Sequence, residues 1–239
     1  RPVIRDDQLR TIMPRLPATK RETHLPFLQS AVTEFEIDRP ARAAAFLAQL
    51  AHESGELRFM EEVWGPTPAQ RRYEPPSTLA TKLGNTEPGD GKRFKGRGPI
   101  QITGRANYKR FGNLLGLDLV ANPTRAAVPE VAFRVAGLFW SKKGLNELAD
   151  VATAESFREI TRRINGGFNG LADRERFYTL ARTVLGVAVP ELRRGKTAPR
   201  GRRRMELPSE PAFNRGFEAI RADRRRSARR KRNAPRRRK

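Results

Sequence analysis

His52-Glu53-Ser54-Gly55, followed by Glu61-Glu62 and then by Gly96-Arg97-Gly98-Pro99-Ile100-Gln101-Ile102-Thr103, is the stretch on which the reading of this chain turns. It supplies two separated carboxylate positions, a glycine able to break the backbone between them, and a polar segment downstream. General acid–base hydrolysis needs that equipment, one carboxyl to protonate a leaving oxygen and another to activate water. Glycosidic bonds are cleaved in this way.

Geometry limits how the carboxyls cooperate. Glu53 and Glu62 are nine positions apart. On a continuous α-helix that means about 900° of rotation, hence opposite faces, and a rise of roughly 13 Å. Inverting glycosidases hold their carboxyls only about 6.5–9.5 Å apart. The helix must therefore end between them, and Gly55 is the obvious place. Glu53 then closes a buried helix, where desolvation raises a carboxyl and suits it to the acid role. Glu62, with Arg58, Arg71 and Arg72 near it in sequence, suits an ionised base. Glu61 competes for that role: if residues 57–63 are extended, Glu61 shares a face with Leu57 and Phe59, and Glu62 with Arg58 and Met60. Alternation alone does not choose between them.

Outward from this stretch the periodicity is helical, which makes the fold class mainly α. Leu28, Val32 and Phe35 recur at i, i+4, i+7. An alanine-rich run from Pro40 to about Glu53 reads as a buried helix with proline in its first turn. A helix opens at Pro129, runs through Phe133, Leu138 and Trp140, and stops at Gly144. Another follows Phe157, Ile160 and Ile164 to Asn165-Gly166-Gly167, and the last holds Phe177, Leu180, Ala181 and Val184 before Gly186. From about Gly65 to Gly98 prolines and glycines replace periodicity, predicting a long irregular segment, with β-structure confined to pieces such as residues 57–63.

Charge divides the chain. Of the net +23, the stretch from Arg193 to Lys239 has 20 Lys/Arg against 4 Asp/Glu, which leaves the rest moderately basic. The composition changes after Pro190, predicting a domain over 1–190 and an Arg-rich, disordered tail over 191–239. There is no cysteine, and the two histidines, His24 and His52, do not make a zinc site of the usual nitrogen/sulfur kind. No apolar run approaches the ~20 residues of a membrane span. The chain begins at Arg1 without a signal-peptide pattern, as a processed product or an excised segment would.

Ala51-His52-Glu53-Ser54-Gly55, the Gly96–Thr103 segment with Asn107-Tyr108, and Ile164-Asn165-Gly166-Gly167 together resemble glycoside hydrolase family 19, the family of chitinases and related peptidoglycan-cleaving lysozymes. The resemblance runs in order from about Asp7 to Val189. Trp64-Gly65-Pro66-Thr67-Pro68-Ala69-Gln70, Pro88-Gly89-Asp90-Gly91-Lys92 and Phe139-Trp140 look more like its endolysin-type branch. It implies a lysozyme-like helical domain with a cleft, and an inverting mechanism without metal or cofactor. Glu53 matches the general acid. The base nine residues on selects Glu62 over Glu61, and Thr103 matches a hydroxyl that helps hold the attacking water. Gln101, Asn107 and Asn165 match sugar-binding polar residues, and Arg174 matches a cleft arginine. The substrate implied is peptidoglycan, with chitin as the alternative, cut by a monomer acting in the cell wall or extracellularly. A catalytically inactive, envelope-binding protein is the non-enzyme alternative. One departure is Glu56, where the family has a second glycine. It is expected to add a carboxylate near the site, to leave Gly55 alone to make the turn, and to shift the pH optimum.

Other motifs read as scaffold. His52 cannot face Glu53 as its immediate helical neighbour, so it reads as a packed or capping histidine. Gly89-Asp90-Gly91-Lys92 fails the P-loop spacing, with Thr86 and Arg93 where glycine and Ser/Thr are needed. Trp140 reads as core, while Trp64 is open to sugar stacking. The basic tail suits a solvated extension, docking to anionic cell-envelope polymers or a membrane surface with Phe213, Phe217 and Ile220 as a weak anchor, or nucleic acid. Two aromatics are too few for a base-stacking platform.

Overall fold

A computed structural model describes residues 2–188 of the chain. The basic tail, its Phe213–Phe217–Ile220 pattern and the predicted domain boundary after Pro190 lie outside the described residues. Within them the fold is helical, with no named strand. The predicted β-structure reduces to two isolated antiparallel bridges, Glu61 with Arg97 and Arg97 with Ile102. No helix of the described residues is long and apolar enough to cross a membrane.

The chain order is α1 (Asp6–Ile12), α2 (Ala18–Glu34), α3 (Pro40–Ser54), α4 (Pro68–Arg71), α5 (Thr78–Leu83), α6 (Asp90–Arg93), α7 (Arg105–Leu115), α8 (Pro129–Lys142), α9 (Leu145–Val151), α10 (Ala154–Asn165) and α11 (Leu171–Leu185), with a 3-10 turn over Pro123–Ala127. The centre is α3. Every residue from Ala43 to Ala51 is buried, and its alanines leave room for neighbouring helices to approach on several sides. α11 packs along it most extensively, while α2 pairs with α8. Phe46 of α3 meets Trp140 edge to face at 5.3 Å, and Trp140 donates its ring N–H to Asn146 at 2.9 Å. Trp140 is thus core, as its helical setting predicts.

The predicted stops hold where glycine punctuates. Gly144, Gly166 and Gly186 all sit in left-handed conformations beside helix ends. The segment expected to be irregular contains α4, α5 and α6, each too short to show a period. Ser77 and Thr67 accept hydrogen bonds that cap the starts of α5 and α4. The Gly89-Asp90-Gly91-Lys92 turn is a structural bracket. Glu74 accepts from the N–H groups of Gly89 and Lys92, and Asp90 forms a two-bonded ion pair with Arg105 at 2.6 and 2.8 Å.

Truncating Phe46 to Ala removes a fully buried ring at this junction. It should destabilise the fold by about 3–5 kcal/mol, read as a lowered urea midpoint.

Candidate active site

Two frames carry the candidate carboxylates. The first is helical. α3 ends at Ser54, leaving Glu53 in its last turn facing α11. Arg174 of α11 is 1% exposed and donates to Glu53 at 2.8 Å, to Gln49 at 2.6 Å and to the carbonyl of Asn169 at 3.1 Å. Gln49 donates in turn to Thr161 of α10 at 2.8 Å. A hydrogen-bonded chain across three helices therefore fixes Glu53. The desolvation expected at the end of a buried helix is joined by a buried guanidinium standing against the Glu53 carboxyl. Beside this pair His52 bonds Asp173 at 2.8 Å, one residue before Arg174, with its ring against Gly170. Burial pushes the Asp173 carboxyl up, but hydrogen bonds from His52 and Arg176 outweigh it and hold it below its ordinary range.

The second frame is built from loops. Glu62 accepts from the Gly96 N–H at 3.0 Å, from Gln70 at 3.1 Å and from the Tyr73 hydroxyl at 3.4 Å. Gln70 is a buried hub: its oxygen accepts from the N–H groups of Gly65 and Thr67, and its amide also donates to the Val63 carbonyl. Gly96 lets the Gln101 and Glu62 side chains approach its backbone closely. A Cβ would stand 2.6 Å from the Gln101 oxygen and 3.2 Å from Glu62. Glu61 faces elsewhere, paired with Arg97 at 3.0 Å and Lys95 at 3.2 Å. Arg97, almost fully buried, also binds Tyr108 and the Arg93 carbonyl, while Tyr108 donates to the Lys95 carbonyl.

Between the frames lies an unusual turn. Gly55, Glu56 and Leu57 all adopt left-handed conformations, with φ of 58°, 65° and 59°. Gly55 does not make the turn alone, and two residues with side chains persist there because their surroundings hold them. Ser54 donates to the Leu50 carbonyl at 2.6 Å and accepts from the Leu57 N–H at 2.7 Å. His24, whose pKa burial lowers, bonds the Leu57 carbonyl at 3.3 Å. Glu56 accepts from the Arg15 N–H at 2.8 Å and from its guanidinium at 2.6 Å. The expectation that Glu56 adds charge to the site is therefore corrected. The left-handed turn buries its carboxylate against Arg15 of the α1–α2 connection.

The remaining predicted residues divide between rim and scaffold. Gln101 is partly exposed in a left-handed conformation with φ of 56°, its amide donating to the Gly98 carbonyl at 2.8 Å. Thr103 has no exposed surface, and its hydroxyl donates to the Gln101 carbonyl at 3.0 Å, not toward open space. Asn107 donates to the Thr103 carbonyl at 2.9 Å, and Asn165 joins Arg174 on the Asn169 carbonyl. These three hold backbone in place. Trp64 lies half-buried 6.2 Å from Tyr73. Sequence reasoning missed Gln49, Gln70 and Tyr73. Gln49 had a signal, since it lies one helical turn before Glu53, and Gln70 had one as the N3 residue of the Thr67-Pro68-Ala69-Gln70 capping box; Tyr73 had none.

Two measurements probe this arrangement. Ser54→Ala leaves the buried Leu57 N–H without its acceptor and should cost about 1–3 kcal/mol by chemical denaturation. Burial raises the Glu61 carboxyl, but the Lys95 hydrogen bond and the Arg97 and Lys95 charges outweigh it, so the net shift is below 4.5. That contribution to stability is present above pH 4.5 and is lost as pH falls through the lowered folded value. Glu61→Gln should therefore flatten the acid limb of a stability-against-pH curve.

Comparison with known proteins agrees with this architecture. The family model for glycoside hydrolase family 19, described as chitinase class I, matches residues 27–151, over half of the chain. An endochitinase of Arabidopsis thaliana is 44% identical over 125 residues, which are 52% of this chain and 39% of that protein. A glycosyl hydrolase family 19 domain-containing protein of Haemophilus influenzae is 34% identical over 158 residues, 56% of this chain and 76% of its own length. The crystal structure of chitinase C from Streptomyces griseus superposes with a TM-score of 0.61 at 25% identity, covering 77% of this chain and 93% of that one. The chain spans 39% of the length of the Arabidopsis relative. Its helical fold, its paired glutamate frames and these matches agree: the chain belongs to glycoside hydrolase family 19.

Proposed function

We propose that this chain is an endo-acting glycosidase that hydrolyses β-1,4-linked N-acetyl amino-sugar polymers by inversion, without a cofactor. The observation that carries the reading is the pair of separately built carboxylate frames joined by one short turn. Inversion needs two carboxyls with different tasks and room for water between them. Glu53 is the acid that gives its proton to the leaving oxygen, and Arg174, 2.8 Å away, steadies the carboxylate left behind. Glu62 is the base that takes the proton of the attacking water. Its bonds to Gly96, Gln70 and Tyr73 fix the direction in which it accepts. Gln101 presents an amide to the sugar, while Thr103, Asn107 and Asn165 keep the surrounding backbone in register.

Peptidoglycan is the favoured polymer, because a strongly basic chain is drawn to a polyanionic wall and chitin is neutral. Chitin is the second reading, supported by the Arabidopsis relative's name, endochitinase. Either substrate places the work in the cell wall or outside the cell.

Glu53→Gln should lower turnover about 10²–10⁴-fold and, by leaving the buried Arg174 charge without its carboxylate, should also lower the thermal midpoint. Retained wild-type turnover would remove Glu53 from the acid role. Mass spectrometry of products from peptidoglycan and from chitin oligomers identifies the bond cut, and proton NMR of the first products should show the inverted anomer.

A further inference from the structure

We infer that Arg58 and Phe59 form a recognition lip for a carboxylate-bearing amino-sugar chain, a specificity that rests on the hydrolase reading above. Both residues lie on the segment between the two candidate catalytic glutamates. The Arg58 Nε donates to the Gly55 carbonyl at 2.8 Å, and its guanidinium carbon lies 5.0 Å from the Phe59 ring centroid. Lys20 holds the Arg58 carbonyl at 2.8 Å. The Phe59 ring rests on Gly55, with Cδ2 2.9 Å from where a Cβ would stand, yet the residue is 58% exposed. An exposed aromatic ring is thus fixed over the end of the helix that carries Glu53, with an arginine fixed beside it.

Charge pairing around the turn sets Arg58 apart. Arg15 pairs with Glu56, Lys95 and Arg97 pair with Glu61, and Arg174 pairs with Glu53. Among the described residues no carboxylate pairs with Arg58. Its Nε is fixed by a backbone carbonyl, which pre-orients the guanidinium of this half-buried residue, and no other hydrogen bond among the described residues engages that group. A planar fork of this kind binds a carboxylate through two parallel hydrogen bonds. The neighbouring ring offers an apolar face to a sugar. The ligand chemistry that meets both is an amino sugar bearing an anionic substituent, which chitin lacks. In peptidoglycan the carboxylate comes from the lactyl ether of a peptide-free strand or from the stem peptide of an intact one.

The test uses the full chain with three substrates: peptide-bearing peptidoglycan strands, strands stripped of peptide, and neutral N-acetylglucosamine oligomers. Because the Arg-rich tail is common to both proteins, the ratio of variant to wild type isolates Arg58. Arg58→Gln should lower kcat/KM about tenfold on at least one carboxylate-bearing substrate, and the one affected identifies the lactyl or the peptide carboxylate. On neutral oligomers the loss should stay within about twofold. Arg58→Lys, which keeps the charge without the fork, should fall between. Equal losses on charged and neutral substrates would reduce Arg58 to a structural role at the turn, and unchanged kinetics on both anionic strands would overturn the inference outright. Calorimetric titration of the same oligosaccharides into Glu53→Gln, with and without Arg58→Gln, reads the discrimination independently of turnover. A wild type that cuts nothing but shows the charge-dependent loss of binding would overturn the hydrolase reading and leave the lip intact. Equal affinity for charged and neutral chains in that titration would sink the lip instead.

Discussion

A guanidinium removed from water must have its charge and its donors satisfied, and the interior of this protein is arranged around that demand at Arg174. Its partners are Glu53 and Gln49 of α3 and the Asn169 carbonyl in the loop before α11. Removing one partner of such a pair strands a buried charge, which costs far more than the intact pair contributes. The α3–α11 packing, the loop after Asn165 and the direction of Glu53 are therefore one coupled object. Through Gln49 the coupling extends to Thr161, so α10 belongs to it as well. Arg174 lies beyond residue 151, where the family match ends, and is part of the site only because the last helix folds back along α3.

The turn after Glu53 answers a different constraint. In the proposed hydrolysis Glu62 must come within a water molecule's reach of Glu53, and a helix would carry the chain away by 1.5 Å per residue. Three successive left-handed residues reverse the chain at once, two of them against the preference of L-amino acids. Ser54, His24 and Arg15 each tie down one part of that reversal. Arg15 and His24 precede residue 27, so the first two helices act as a strut for the segment between the glutamates.

What the sequence made legible follows from range. The buried helix α3 was readable because alanines and large apolar residues recur over fifteen positions, and its end because glycine tolerates a left-handed backbone. The stops at Gly144, Gly166 and Gly186 were readable for the same local reason. The helices α4 to α6 were not, since four to six residues do not complete enough turns to display a period. α7 escaped for another reason: its buried residues include Asn107 and Gly112, which an apolar pattern does not count. The two glutamates were legible as a pair but not as settings. Nothing local indicates that Glu61 meets Arg97 thirty-six positions on, or that Glu56 meets Arg15 forty-one positions back.

The two frames also differ in kind. The frame around Glu53 consists of side chains on packed helices, where a change in direction requires a shift of buried apolar surface. The frame around Glu62 consists largely of side chains bonded to loop backbone, with Gln70 connecting Glu62 to the N–H groups of Gly65 and Thr67 and to the Val63 carbonyl. Loop elements open locally at lower free energy than packed helices do. Any adjustment of the separation between the two carboxyls therefore falls on the Glu62 side, while Glu53 keeps its direction. Arg58 and Phe59 sit where the two frames join, anchored to the rigid one through Gly55.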